Sequence, residues 1–92
     1  MNTLFQLGDC VGTPGALQLL ADNDVSYLNL LDRHVSGDWG DIEFEDDKRM
    51  NEHAVASGVD RIMSVYKVGD AKVWIITEAD RSVTTVLLPE EY

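Results

Sequence analysis

The sequence predicts an α+β domain: two or three short N-terminal helices packed on a C-terminal three-stranded antiparallel meander. Three observations predict it. Helix start signals and helical spacing of apolar residues occupy roughly the first sixty positions. Three runs rich in β-branched and aromatic residues follow. Tight turn signals, Gly69-Asp70 and Ala79-Asp80-Arg81, separate those runs and require antiparallel neighbours. A chain of 92 residues has room for one core, so residues 1–92 read as a single domain.

The elements follow in order. Thr3-Leu4-Phe5-Gln6-Leu7 reads as a short strand, cut off by Gly8 and Asp9. Thr13 before Pro14 starts a helix over 14–21, because the hydroxyl caps a free N–H and proline has none to satisfy. Asp24 or Ser26 caps a second helix over 26–35, whose Tyr27, Leu28, Leu30, Leu31, His34 and Val35 follow the spacing of one buried face. Asp41 caps a third over 42–57 with sparse apolar positions, and Gly58 ends it. The strands are expected at 61–68, 72–78 and 82–88, with Pro89 stopping the last. The second strand is apolar on both faces, which suits a central position. The outer sheet face is expected to lie under the N-terminal segment or a second copy of the chain.

Charge narrows the function. Seventeen Asp and Glu against seven Lys and Arg leave −10 at pH 7. Ten of those acids, and one base, fall within residues 1–47, so the excess is regional and makes a directed field. Nucleic acid and anionic membranes both need clustered cations, so neither is an expected direct partner. No apolar run is long enough to span a bilayer, and a cytoplasmic location is expected. The single cysteine, Cys10, excludes an internal disulfide and a cysteine zinc site. Asp9 beside it raises its pKa, which leaves it inert. Gly12-Thr13-Pro14-Gly15 is too short for a phosphate loop and reads as a helix start.

The stretch from Val73 to Tyr92, ending Ile76-Thr77-Glu78-Ala79-Asp80-Arg81-Ser82-Val83-Thr84-Thr85-Val86-Leu87-Leu88-Pro89-Glu90-Glu91-Tyr92, carries a resemblance. So do Thr13-Pro14-Gly15-Ala16-Leu17, Gly37-Asp38-Trp39-Gly40-Asp41 and Arg61-Ile62-Met63-Ser64-Val65-Tyr66. These resemble small bacterial proteins of unknown function borne on plasmids and integrative elements. The resemblance covers nearly the whole chain and implies a mobile-element setting. It supplies no active site to carry over.

Six carboxylates lie within ten residues: Asp38, Asp41, Glu43, Glu45, Asp46 and Asp47. Their register does not match a calcium loop, and no metal or cofactor is expected. The plain reading is a solvated helix N-terminus, where negative charge suits the helix dipole. The functional reading is a patch for a protein with a basic surface, carrying charge in the pattern of a phosphate backbone. Trp39, between two glycines, either pins its loop to the core or anchors a partner. Glu78, Asp80 and Arg81 form either a turn salt bridge or a polar recognition edge. His34 and His53 read as packed or boundary residues.

The leading expectation is therefore a non-enzymatic acidic interaction module, a nucleic-acid mimic acting on a defence or DNA-processing protein. One alternative is a small ribonuclease-like toxin, with His53, Tyr66, Arg81, Thr84 and Thr85 in the catalytic roles. Another is a structural or regulatory homo-oligomer, such as a homodimer paired through the sheet.

Overall fold

The structure, a computed structural model, describes residues 3–42 and 45–92. Its elements are β1 (Asp9–Gly12), α1 (Pro14–Asp22), α2 (Tyr27–Val35), α3 (Glu45–Ser57), β2 (Ile62–Val68), β3 (Ala71–Thr77) and β4 (Val83–Leu87), then a 3₁₀ turn over Pro89–Glu91. The α+β class holds. The meander is present as β2, β3 and β4, but the sheet is four-stranded and mixed, in the order β1-β4-β3-β2. The fourth strand is β1, which pairs parallel with β4 through Asp9↔Val83 and Gly12↔Val86.

Local chemistry sets the helix starts. The Thr13 hydroxyl accepts the Ala16 N–H, with proline at the first helical position. Ser26 rather than Asp24 caps α2, accepting from the Asn29 N–H. Asp24 instead takes a left-handed backbone between the two helices. Asp41 does not cap α3, described over Glu45–Ser57, because its carboxylate is engaged elsewhere. Its carboxylate accepts the Lys67 N–H on β2, and its own N–H donates to the Val65 carbonyl. Gly40 makes that approach possible. It sits at φ +73, and a Cβ there would collide with the Val65 carbonyl oxygen.

The register puts Ile62, Ser64, Tyr66, Val68, Val73, Ile75, Thr77, Thr84 and Val86 on one face, none more than 1% exposed. Helices α1 and α2 cover that face, with Leu20, Leu30 and Leu31 in its core. The N-terminal segment also joins this side, not the outer face. Leu4 donates to the Val35 carbonyl, and the Phe5 ring meets His34 edge-on at 5.1 Å. What lies over the outer face is the C-terminal turn, which packs on β3 and brings Tyr92 against Trp74 at 5.6 Å. The expected strand at 3–7 does not form.

Candidate functional site

The predicted acidic site divides in two. Asp38 and Asp41 are exposed yet structurally committed. Asp38 takes an Arg33 hydrogen bond at 2.7 Å and the Gly40 N–H at 3.1 Å. The Arg33 bond, with the Gly40 N–H, holds its carboxyl below the usual carboxylate range. Asp41 ties its loop to β2. Glu45, Asp46 and Asp47 form the first turn of α3, the first two exposed and Asp47 half-buried. Their pairings are loose. Lys48 stands 3.5 Å from Glu45, and Arg49 stands 3.6 Å from Asp46, all on solvated side chains. Exposed pairs of this kind neutralise little. Glu43 lies outside the described residues.

Trp39 is 8% exposed and packs between Phe5 and His34, so its ring is not presented to a partner. Arg81 makes no ion pair with Glu78 or Asp80. Its guanidinium donates to the carbonyls of Ala54 at 2.9 Å, Asp60 at 2.6 Å, Glu78 at 3.2 Å and Ala79 at 3.0 Å. It thereby holds the β3–β4 turn to the end of α3, from a left-handed backbone at φ 61. Glu78 and Asp80 are left exposed in that turn.

The residues cast as a ribonuclease centre are not brought together. Tyr66 and Thr84 are fully buried on the helix-covered face. Tyr66 donates to the Asp38 carbonyl at 2.5 Å, and burial pushes its pKa up to about 12. Arg81 is occupied by carbonyls, Thr85 points to the opposite sheet face, and His53 is exposed on α3. His53 instead lines a cleft of about 560 Å³ with Asp46, Arg49, Met50, Asp60 and Arg61. Cys10 is exposed, and partial burial followed by the Asp9 charge raises its pKa.

The structure assembles a polar chain that sequence spacing does not show. His34 Nδ1 lies 2.6 Å from Ser64 Oγ, and Nε2 lies 2.9 Å from Thr77 Oγ1. Thr77 Oγ1 is 2.7 Å from Thr84 Oγ1, which donates to the Leu7 carbonyl at 2.7 Å. The carbonyl fixes every proton upstream, because it can only accept. Thr84 gives its proton to Leu7, so Thr77 donates to Thr84 and accepts from His34. His34 therefore carries a proton on Nε2, and in a buried site that disfavours a second proton its Nδ1 accepts from Ser64. Burial pulls its pKa down to about 3.

Among the described residues, no group of three His, Cys, Asp or Glu side chains is placed to hold a metal. No helix there is long and apolar enough to cross a membrane. Comparison of the chain with protein-family models, curated proteins and solved structures finds no match.

Proposed function

We propose that this chain is a non-enzymatic interaction module that offers the carboxylates at the start of α3 to a protein with a basic surface. The reading extends to mimicry of nucleic acid: the partner is a defence or DNA-processing protein whose cationic groove these charges occupy. One observation carries it. Glu45 and Asp46 stand solvated at one helix end beside a half-buried Asp47, with cation partners no nearer than 3.5 Å. Asp38 and Asp41, by contrast, are engaged by the fold and contribute background charge. A cationic groove meeting this end would gain from the directed field of the acidic half. The resemblance to mobile-element proteins supports the choice of partner class, since such elements meet nucleases on entering a host.

The test uses the triple variant Glu45→Gln, Asp46→Asn, Asp47→Asn, which leaves the contacts of Asp38 and Asp41 in place. The full chain is used to capture partners from a bacterial lysate at low and high salt. The expected catch is a nucleic-acid enzyme that elutes as salt rises, that duplex DNA displaces, and that the triple variant fails to hold. Equal capture by the variant would remove the carboxylates of α3 from the interaction. Capture indifferent to DNA would remove the mimicry.

A further inference from the structure

The two edges of the sheet are finished differently. The outward groups of β2 are engaged at Met63, at Val65 and at the Lys67 N–H. Met63 is paired at both its N–H and its carbonyl by the Asn51 side chain, at 3.0 and 2.7 Å. Val65 is paired by the Trp39 carbonyl and the Asp41 N–H, and Lys67 by the Asp41 carboxylate. At the other edge β1 has no strand partner on its outward side among the described residues. Asp9 and Thr13 turn their N–H groups to the carbonyls of Ser82 and Val86 on the β4 side. Strand alternation therefore turns the N–H and carbonyl of Cys10 and Gly12 outward. Asp9, Cys10 and Val11 are exposed. An apolar group flanks the edge on each face: Val11 on the outer one and, over Gly12, Leu17 on the inner one, 46% and 44% exposed.

Charge says what would fit there. Asp9 lies in the strand, and Asp80 lies at its start, accepting from the Ser82 N–H. Glu91 lies at its end, accepting from the Thr13 hydroxyl at 2.5 Å. Among the described residues none of these acids is in a salt bridge; the three ion pairs belong to Arg33, Lys48 and Arg49. Arg81, beside Asp80 in the chain, directs its guanidinium to carbonyls. A second copy of the chain would bring the same acids to its own edge and a net charge of −10 to another −10. A cationic strand has no such opposition.

We infer that the β1 edge receives an extended, lysine- or arginine-bearing segment of a partner protein as a fifth strand. Backbone bonds to Cys10 and Gly12 supply the attachment, and the flanking acids select the sign of the incoming side chains. The inference rests on the preceding reading only for the basic character of the partner. Its contacts are the main chain of β1, not the carboxylates of α3.

The probe is a synthetic peptide of alternating lysine and valine, added to the isotope-labelled full chain and followed by amide NMR and hydrogen exchange. Three comparisons accompany it: the same peptide N-methylated at alternate amides, a glutamate–valine peptide, and Cys10→Pro. That substitution deletes an outward N–H while leaving the β4 ladder whole. The amide spectrum of β4 reports that it has folded. The expected result is shifts confined to residues 8–13 and exchange at Cys10 and Gly12 slowed by about tenfold or more. The N-methylated and glutamate peptides, and the proline variant, would each weaken binding by a similar factor. The α3 triple variant would bind the peptide at β1 as before, which separates failure here from failure of the acidic-patch reading. Shifts centred on α3, undiminished binding to Cys10→Pro, or no binding would overturn the inference. So would a dimer in sedimentation that Cys10→Pro dissociates, because it would give the edge to a second copy.

Discussion

His34 shows how a single buried residue sets the acid limit of this fold. It is fully buried between Phe5 and Trp39, and its two ring nitrogens serve opposite roles in one directed chain. A second proton on Nδ1 would make the Ser64 hydroxyl turn from donor to acceptor and send its own proton elsewhere. It would also be a charge inside a core, where desolvation disfavours it. The folded pKa is thus lowered from 6.5 to about 3. Above pH 6.5 both folded and unfolded chains carry neutral His34, and stability is unaffected. Below it the unfolded chain takes up a proton that the folded chain refuses. Stability then falls with pH by about 1.4 kcal/mol per unit, down to the folded pKa, or about 4–5 kcal/mol over the window. That is comparable to the whole stability of many small domains. His34→Gln can keep a donor to Thr77 but loses the acceptor for Ser64. It should lose about 1–3 kcal/mol at pH 7, the cost of one unmet buried hydroxyl. The wild-type advantage should shrink by about 1.4 kcal/mol per unit below pH 6.5 and reverse in sign before pH 4 in urea titrations. A difference that stays constant with pH would show that His34 does not carry the acid sensitivity.

At the scale of elements, the unusual feature is how much of the assembly depends on side chains acting as backbone. Asn51 extends the sheet by giving β2 both a donor and an acceptor from the middle of α3. Arg81 joins the far end of the same helix to the β3–β4 turn through backbone carbonyls. Asn51→Asp keeps the acceptor for the Met63 N–H and replaces the donor with a second oxygen facing the Met63 carbonyl. It should cost about 2–3 kcal/mol, more than a neutral loss, since a buried charge loses hydration without gaining a partner. Hydrogen exchange should quicken along β2 and α3 and stay unchanged between β1 and β4. Uniform quickening would mean that α3 and the sheet open only together. These contacts also mark what sequence could not show. The Thr13 and Ser26 caps and the Gly69-Asp70 turn act within a few residues, and α1, α2 and the hairpin were legible from them. The strand β1 was not. It is Asp-Cys-Val-Gly, four residues with no apolar alternation, and its partner lies some seventy positions away. Phe5 and Leu7 resembled a strand because they are apolar at alternate positions. They are apolar because they pack against Val35 and its neighbours. Asn51 carries no mark in the sequence, and Trp39 reads equally as a core pin or a partner anchor, because neither spacing nor composition reports what stands opposite. Of the candidate site, the exposure of Glu45 and Asp46 followed from the helix-start pattern, and the half-burial of Asp47 did not. The commitment of Asp38, Asp41 and Arg81 to distant backbone did not.

For the whole molecule, the question is whether the acidic half merely keeps the chain in solution or is organised to meet a cation. Uniform self-repulsion and a focused patch respond differently to salts of different valence. A chain at −10 with only three exposed ion pairs among its described residues is strained by its own field. Added sodium chloride screens that field wherever it lies, with a Debye length of about 10 Å at 0.1 M. A short oligolysine instead concentrates where carboxylates are close and unpaired. If α3 presents such a place, oligolysine should raise the melting temperature at concentrations where its ionic strength is negligible. A complex at a hundred times its dissociation constant would stabilise the fold by about 2.7 kcal/mol, a shift of several degrees in a domain of this size. The triple variant at Glu45, Asp46 and Asp47 should lose most of that shift and keep most of the sodium chloride effect. At low salt the same variant should lose about 0.3–1 kcal/mol of helix-dipole stabilisation per acid replaced, offset in part by relief of the self-repulsion. A variant that retained the oligolysine shift would move the cation-binding surface away from α3, and the shift lost on adding Cys10→Pro would move it to β1. Stabilisation by oligolysine no greater than an equal ionic strength of sodium chloride would leave the acidic half without a binding surface at all.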